Sequence, residues 1–211
     1  MKKETTERLD GFVALDGNNF NNLKIDGEVT FSNDINTGVL DIDGKIVCKK
    51  NASIKSIHLN GVGQFEGDMS VDDKVTIDGK LLLGGNSVKA SEIIVDGTVE
   101  AAKDIIGNNI EIDGYVDAIN IKGKNVSISD WKKNSKVFNS IAKRLFPEKI
   151  RISKVENICG ESIDISDTKV DTIDGKNISI GKNCEVKRII CEAAPVIHKD
   201  SIVGEIVRKT V

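Results

Sequence analysis

Short runs in which apolar and polar residues alternate recur along the chain, and they keep one phase around a series of glycines. Two residues before Gly27, Gly44, Gly61, Gly79, Gly97 and Gly114 stand Ile25, Ile42, Leu59, Ile77, Val95 and Ile112. Two residues after them stand Val29, Ile46, Gly63, Leu81, Val99 and Val116, and four after them Phe31, Cys48, Phe65, Leu83, Ala101 and Ala118. Alternation with period two turns one face of a short strand inward in each repeat. Each glycine follows Asp26, Asp43, Asn60, Asp78, Asp96 or Asp113. Aspartate and asparagine accept left-handed backbone best among non-glycine residues and bond to their own turn, so this column reads as a corner.

The glycines are spaced 17, 17, 18, 18 and 17 residues apart, and Asp10-Gly11, 16 residues before Gly27, opens the series. Helix-pair repeats run to about 33–47 residues, and leucine-rich repeats start near 20 with an L-x-x-L-x-L consensus that is missing here. The observed period suits one circuit of a β-helix, made of three short strands and three corners. Such a circuit buries its apolar face only by stacking on its neighbours. The expected fold is therefore all-β, a single-stranded parallel β-helix with 17–18-residue circuits. At about 4.8 Å per circuit, six to ten circuits make a rod about 30–50 Å long.

The pattern breaks after Ile128, and over residues 131–149 the apolar period lengthens to about 3.6. Trp131, Phe138, Ile141, Ala142, Leu145 and Phe146 share one side of a helical wheel. Lys132, Lys133, Lys136, Lys143 and Arg144 take the other side, and Pro147 ends the run. Strand pattern returns at Ile150-Arg151-Ile152. It continues through Ile163-Asp164-Ile165, Ile173-Asp174-Gly175 and Ile178-Ser179-Ile180 to about Val207. Here the register reads as shifted, with Asn177 and Ser179 in places that are apolar earlier. Two stacked β-helical segments, 8–130 and 150–208, are expected, joined by a basic amphipathic helical insertion at 131–149.

Composition narrows the classes of function. Aromatic residues make up only 4% of the chain, so thin aliphatic side chains fill the interior. The net charge of −3 supplies no footprint for nucleic acid. No run approaches the roughly 18 apolar residues of a membrane span, and polar Met1–Asp10 lacks the apolar stretch of a secretory signal. A cytoplasmic protein is expected. Cys48, Cys159, Cys184 and Cys191 form no CxxC pair, which argues for reduced thiols rather than a zinc site or disulfides.

No candidate chemistry assembles along the chain. The Asp column has two readings, stacked carboxylates that hold cations or corner formers. The G-G-x-G-x-D consensus of calcium rolls is missing, which favours corners. Cys48, in the inward column, reads as a small core hydrophobe, and Cys184 and Cys191 are read the same way. His58, beside inward Leu59, is expected to face solvent. Nucleotide-binding glycine loops and a G-x-S-x-G elbow are absent, so no cofactor and no enzymatic activity are expected. The insertion is electrostatically distinct: six basic residues against Glu148 give it +5. It suits either an anionic membrane interface or the flank or exposed end of the β-helix itself.

The iterated Ile-Asp-Gly rungs, with the late stretch Ile178-Ser179-Ile180-Gly181-Lys182-Asn183-Cys184-Glu185-Val186, resemble the bactofilins. The likeness is to their clostridial and bacillar branch of polymer-forming cytoskeletal proteins, over about 8–128 and 150–207. Better-known members often carry Pro-rich tails and lack a basic helical insertion. The resemblance implies a right-handed β-helix that polymerises end to end without nucleotide, forming filaments or sheets that scaffold cell shape, envelope growth or motility. Its partner would be itself, with a membrane surface or envelope-associated protein as a further one. Physically, the two terminal rungs would present unpaired backbone groups and an open core. The candidates are Phe12, Val13, Leu15 and Phe20 at one end, and Val196, Ile197, Ile202, Val203, Ile206 and Val207 at the other. Two other readings stay open: a β-helical adaptor that never polymerises, and a hexapeptide-type acyltransferase, which two histidines and 17-residue circuits disfavour.

Overall fold

The computed structural model describes residues 6–15, 19–85, 87–101, 103–129 and 152–209. Strands run β1 Thr6–Leu15, β2 Asn19–Phe31, β3 Ile35–Cys48, β4 Ala52–Phe65, β5 Met69–Leu83, β6 Ser87–Lys89 and β7 Glu92–Ala101. They continue with β8 Asp104–Ser129, β9 Ser153–Ile165, β10 Thr168–Ile180, β11 Glu185–Cys191, β12 Val196–Ile197 and β13 Ile202–Arg208. All join one parallel sheet, and from β1 to β5 each pairs with the next in sequence. A parallel sheet in which successive segments pair directly coils on itself, and this one makes a β-solenoid of about ten turns. The parallel β-helix expected from the repeat is thus the fold.

Each circuit has three short faces, and each face has two inward positions, most of them filled by an apolar side chain. In the second circuit these pairs are Leu23 and Ile25, Val29 and Phe31, and Ile35 and Thr37, all buried. Stacking repeats them: Ile25, Ile42, Leu59, Ile77, Val95 and Ile112 form one column in exact step with the column Asp26, Asp43, Asn60, Asp78, Asp96, Asp113. The core is the sum of such columns, and the inward Cys48, Cys184 and Cys191 belong to it. Burial pushes the Cys48 and Cys184 thiols up from the ordinary range, so both are poor nucleophiles. Cys159 is exposed.

The corner glycines carry a requirement stronger than turn preference. Gly27, Gly44, Gly61, Gly79, Gly97 and Gly114 have φ of 131–141°. A Cβ built on any of them would lie 2.0–2.4 Å from the carbonyl oxygen of the glycine one circuit below. The circuits therefore touch backbone to backbone along this corner, a contact only glycine permits.

Beyond Gly114 the corner changes type. After Ile165 it is Ser166-Asp167, and after Ile180 it is Gly181-Lys182-Asn183, with Asp167 and Asn183 at φ 52° and 55°. Ile173-Asp174-Gly175 is not a rung of the Asp-Gly column: Gly175 pairs with Gly160 on the third face. Circuits also shorten, since Ile163 pairs with Ile178, 15 residues on. The expected 17–18-residue period holds only for the first part of the rod. Nor do Asn177 and Ser179 take formerly apolar places. They stack on Ser162 and Asp164 in outward columns, while Ile178 and Ile180 between and beside them are buried.

Ser129 and Ser153, which close β8 and open β9, lie at one corner of the solenoid. Ser129 Oγ donates to Asp113 Oδ1 at 3.3 Å, which sets Ile128 on Ile112. On return, the N–H of Val116 donates to Ser153 Oγ at 3.1 Å, and the N–H of Ser166 donates to the Ile128 carbonyl at 2.8 Å. The stack from β8 to β9 is continuous over Asp117–Ile128. The expected helix at 131–149 lies outside the described residues, and no helix occurs among them.

Outward columns are tied by ion pairs between neighbouring circuits, among them Lys24–Asp41, Lys45–Glu28, Lys74–Glu92 and Arg188–Glu205. Exposed pairs of this kind contribute under about 1 kcal/mol each. The Asp column opposes them. At Asp96, which is exposed, desolvation by the neighbouring circuits and then the charges of Asp78 and Asp113 raise the carboxyl above its ordinary range. A raised carboxyl favours the folded state fully below its unfolded pKa and loses that contribution as pH rises through the folded value. Asp96→Asn should therefore stabilise near neutral pH, by about a few tenths of a kcal/mol, because Asp96 is exposed and solvent screens the repulsion. The gain should fade near pH 4, where aspartate protonates. Asn60 already shows the substitute geometry, its Nδ2 donating to Asp43 Oδ1 at 3.4 Å. Thermal melts of both proteins at the two pH values check this, and a gain independent of pH would remove repulsion as the cause.

Candidate assembly surfaces at the two ends

Among the described residues β1 pairs only with β2, and β13 only with β11, so no described strand pairs the outer edge at either end of the sheet. The first circuit continues the inward columns: Leu9 stacks on Ile25, Val13 on Val29, Leu15 on Phe31 and Phe20 on Thr37. With no described circuit beneath them, all four are only partly buried against the core. Phe20 meets Phe31 edge-on, with ring centroids 6.1 Å apart. Phe12 does not belong to this set. It stacks on Glu28 in an outward column and is 88% exposed on the flank.

At the other end Ile197, Val203 and Ile206 continue the inward columns of Ile180, Val186 and Ile189. Ile206 is 46% exposed, with no described residue stacked on it from outside. Arg208 takes the next inward place, over Cys191. Val196, Ile202 and Val207 stack instead on Ser179, Glu185 and Ile190 and point outward. Of the ten end candidates, six thus lie on the axial faces and four on the flanks.

Leu9 and Arg208 also stand in inward columns of the end circuits, and so does Glu7, over Leu23; none of the three is among the candidates. Leu9 was within reach, for it stands two residues before Gly11, as Ile25 does before Gly27. Arg208 carries no such signal, since a charged residue in an inward column is recognisable only once the register is known. Trp131, Lys132, Lys133, Lys136, Phe138, Ile141, Lys143, Arg144, Leu145 and Phe146 lie outside the described residues.

The flanks offer a shallow groove of about 640 Å³ between the second and third faces, lined in part by Asp34, Asn51 and Asp68. These side chains are occupied within the fold. Asp34 Oδ1 accepts the N–H of Asn51 at 2.9 Å, Asn51 Oδ1 that of Asp68 at 3.0 Å, and Asp68 Oδ1 that of Ser87 at 3.2 Å. His58 is exposed, as its place beside Leu59 implies, and its Nδ1 lies 3.2 Å from Asp41 Oδ1. The hydrogen bond from Lys24, and then that from His58, holds the Asp41 carboxyl below its ordinary range. Among the described residues no three His, Cys, Asp or Glu side chains converge as a metal site, and no helix is long and apolar enough to cross a membrane. Set against family models, curated proteins and solved structures, the chain matches none.

Proposed function

We propose that this chain is a non-enzymatic cytoskeletal scaffold that assembles end to end, without nucleotide, into filaments. The observation that carries the reading is the condition of the two terminal circuits, each with a strand edge that no described strand pairs and partly exposed side chains in the core columns. Stacking two such ends pairs the backbone groups and buries the apolar residues, at about 1.5–3 kcal/mol for a fully buried side chain. The resemblance of the Ile-Asp-Gly rungs to bactofilins adds right-handed coiling, a cytoplasmic setting and work in cell shape, envelope growth or motility. The sequence of segment 131–149 adds a candidate surface for a further partner. Its basic and apolar sides suit an anionic membrane surface or an envelope-associated protein.

Negative-stain electron microscopy of the purified chain, without nucleotide or metal and over a range of salt, tests the proposal. Filaments or sheets with an axial repeat of about 50 Å are expected, from ten or eleven circuits at about 4.8 Å each. Uniform small particles, confirmed by sedimentation, would overturn it in favour of an adaptor that uses its flank.

A further inference from the structure

We infer that one charged side chain in an inward column restrains stacking at each end, Glu7 in the first described circuit and Arg208 in the last. These two residues, more than the apolar ones beside them, set how readily copies join. The inference rests on the end-to-end reading above and adds the control that acts on it.

The inward columns exclude charge everywhere between the ends. Glu7 heads the column that continues through Leu23, Leu40, Ile57 and Val75. Arg208 is the last described member of the column of Gly160, Gly175 and Cys191. Among the described residues no charged side chain is buried, and the buried polar ones are Thr37, Ser153 and Thr168. A charge in an inward place is therefore a property of the terminal circuits alone. Sheets use this device elsewhere to keep an open edge from pairing.

The inner neighbours show what covering an end would do. Leu23, on which Glu7 stacks, is 1% exposed, and Cys191, on which Arg208 stacks, is fully buried. Glu7 and Arg208 themselves are exposed. A circuit laid over either end would take that charge out of water, which is strongly unfavourable unless a counter-charge comes with it. The chain does not supply one. In the same circuits Arg8 pairs with Asp10 at 2.9 Å and Glu205 with Arg188 at 3.2 Å, whereas neither Glu7 nor Arg208 has an ion-pair partner among the described residues. The two charges also stand on different faces, Glu7 on the first and Arg208 on the third, so stacking in step along the columns does not set one over the other.

The rest of each end favours joining. Leu9, Val13, Leu15 and Phe20 surround the place of Glu7, and Ile197, Val203 and Ile206 that of Arg208, all in the core columns. Each terminal circuit thus combines an apolar surface with one opposing charge. Loss of that charge, or a group that neutralises it, strengthens the junction at that end.

Sedimentation velocity over a concentration series tests this with matched substitutions. Glu7→Leu and Arg208→Leu remove the inward charges. Glu205→Leu and Arg8→Leu make the same exchanges at outward places of the terminal circuits, over Arg188 and Lys24. Each inward variant should reach half-association at a concentration about tenfold or more below that of the unmodified chain. The outward variants should stay within about twofold of it. Glu7→Gln and Arg208→Gln, which remove charge without adding apolar surface, should shift in the same direction as the leucine variants. They also replace a leucine variant that circular dichroism shows to be misfolded. A monomeric parent whose inward variants associate would support the inference in its strongest form. Inward variants that associate no more tightly than the parent would overturn it, and so would equal gains in the outward variants. If the parent and every variant stay monomeric, the end-to-end reading itself falls, and the restraint with it.

Discussion

Gly61→Ala is expected to destabilise the solenoid by about 4 kcal/mol or more, the range reached only by a backbone or core defect. The new Cβ would stand 2.0 Å from the carbonyl oxygen of Gly44 at a φ of 135°. The backbone conformation alone costs a non-glycine residue about 1–3 kcal/mol. The contact adds more, because neither partner is a side chain that can rotate away. Relief requires the two circuits to part, which breaks ladder bonds on both adjoining faces. Gly11→Ala is the internal control. Nothing lies within 4 Å of its Cβ, although φ is +85°. It should lose only the conformational part, about 1–3 kcal/mol. Thermal melts followed by circular dichroism should place Gly61→Ala about 10 °C or more below the parent. Equal losses in the two variants would show that close approach of the circuits is not the cause.

Phe65→Ala is expected to lose about 3–5 kcal/mol, toward the upper end for a truncated core ring. Phe65 is fully buried, and the inward position two residues before it is Gly63. Where other circuits place Val29, Ile46 or Leu81, this one has no side chain. Leu59, Phe65 and Leu81 close over the gap, each within 3.3 Å of where a Cβ on Gly63 would stand. Removing the ring opens a cavity that already lacks one wall, and thin aliphatic neighbours fixed in columns cannot collapse into it. Urea unfolding measures the loss. If Phe65→Ala costs no more than a single methylene, about 0.8 kcal/mol, the ring is not what fills the place of the missing side chain.

The first part of the rod is legible from sequence because one circuit puts its strictest requirement, Asp-Gly, at a fixed offset from the inward aliphatic residues. Glycine is demanded there by the carbonyl below, so the signal recurs in every circuit from Gly27 to Gly114. The second part is harder to read. Its corners use Asp167 and Asn183 in the left-handed region, and its second-to-third-face corners are shorter, so neither the marker residue nor the spacing persists. Ile173-Asp174-Gly175 repeats the marker on a different face, and only the pairing of Gly175 with Gly160 reveals it. The ends were legible as a composition of apolar residues but not as surfaces. Phe12, Val196, Ile202 and Val207 are apolar like their neighbours, and a one-residue difference in position turns them to the flank.

The pairing of each circuit only with those immediately above and below has a thermodynamic consequence. Stability in such an array is a sum of terms between adjacent units, and the outermost units hold half as many. Melting is then expected to start at the extremities, where among the described residues β1 and β13 each have a neighbour on one side alone. Any contact that supplies the missing neighbour removes a starting point for melting. Partnership at the extremities and resistance to unfolding are in this architecture one and the same quantity.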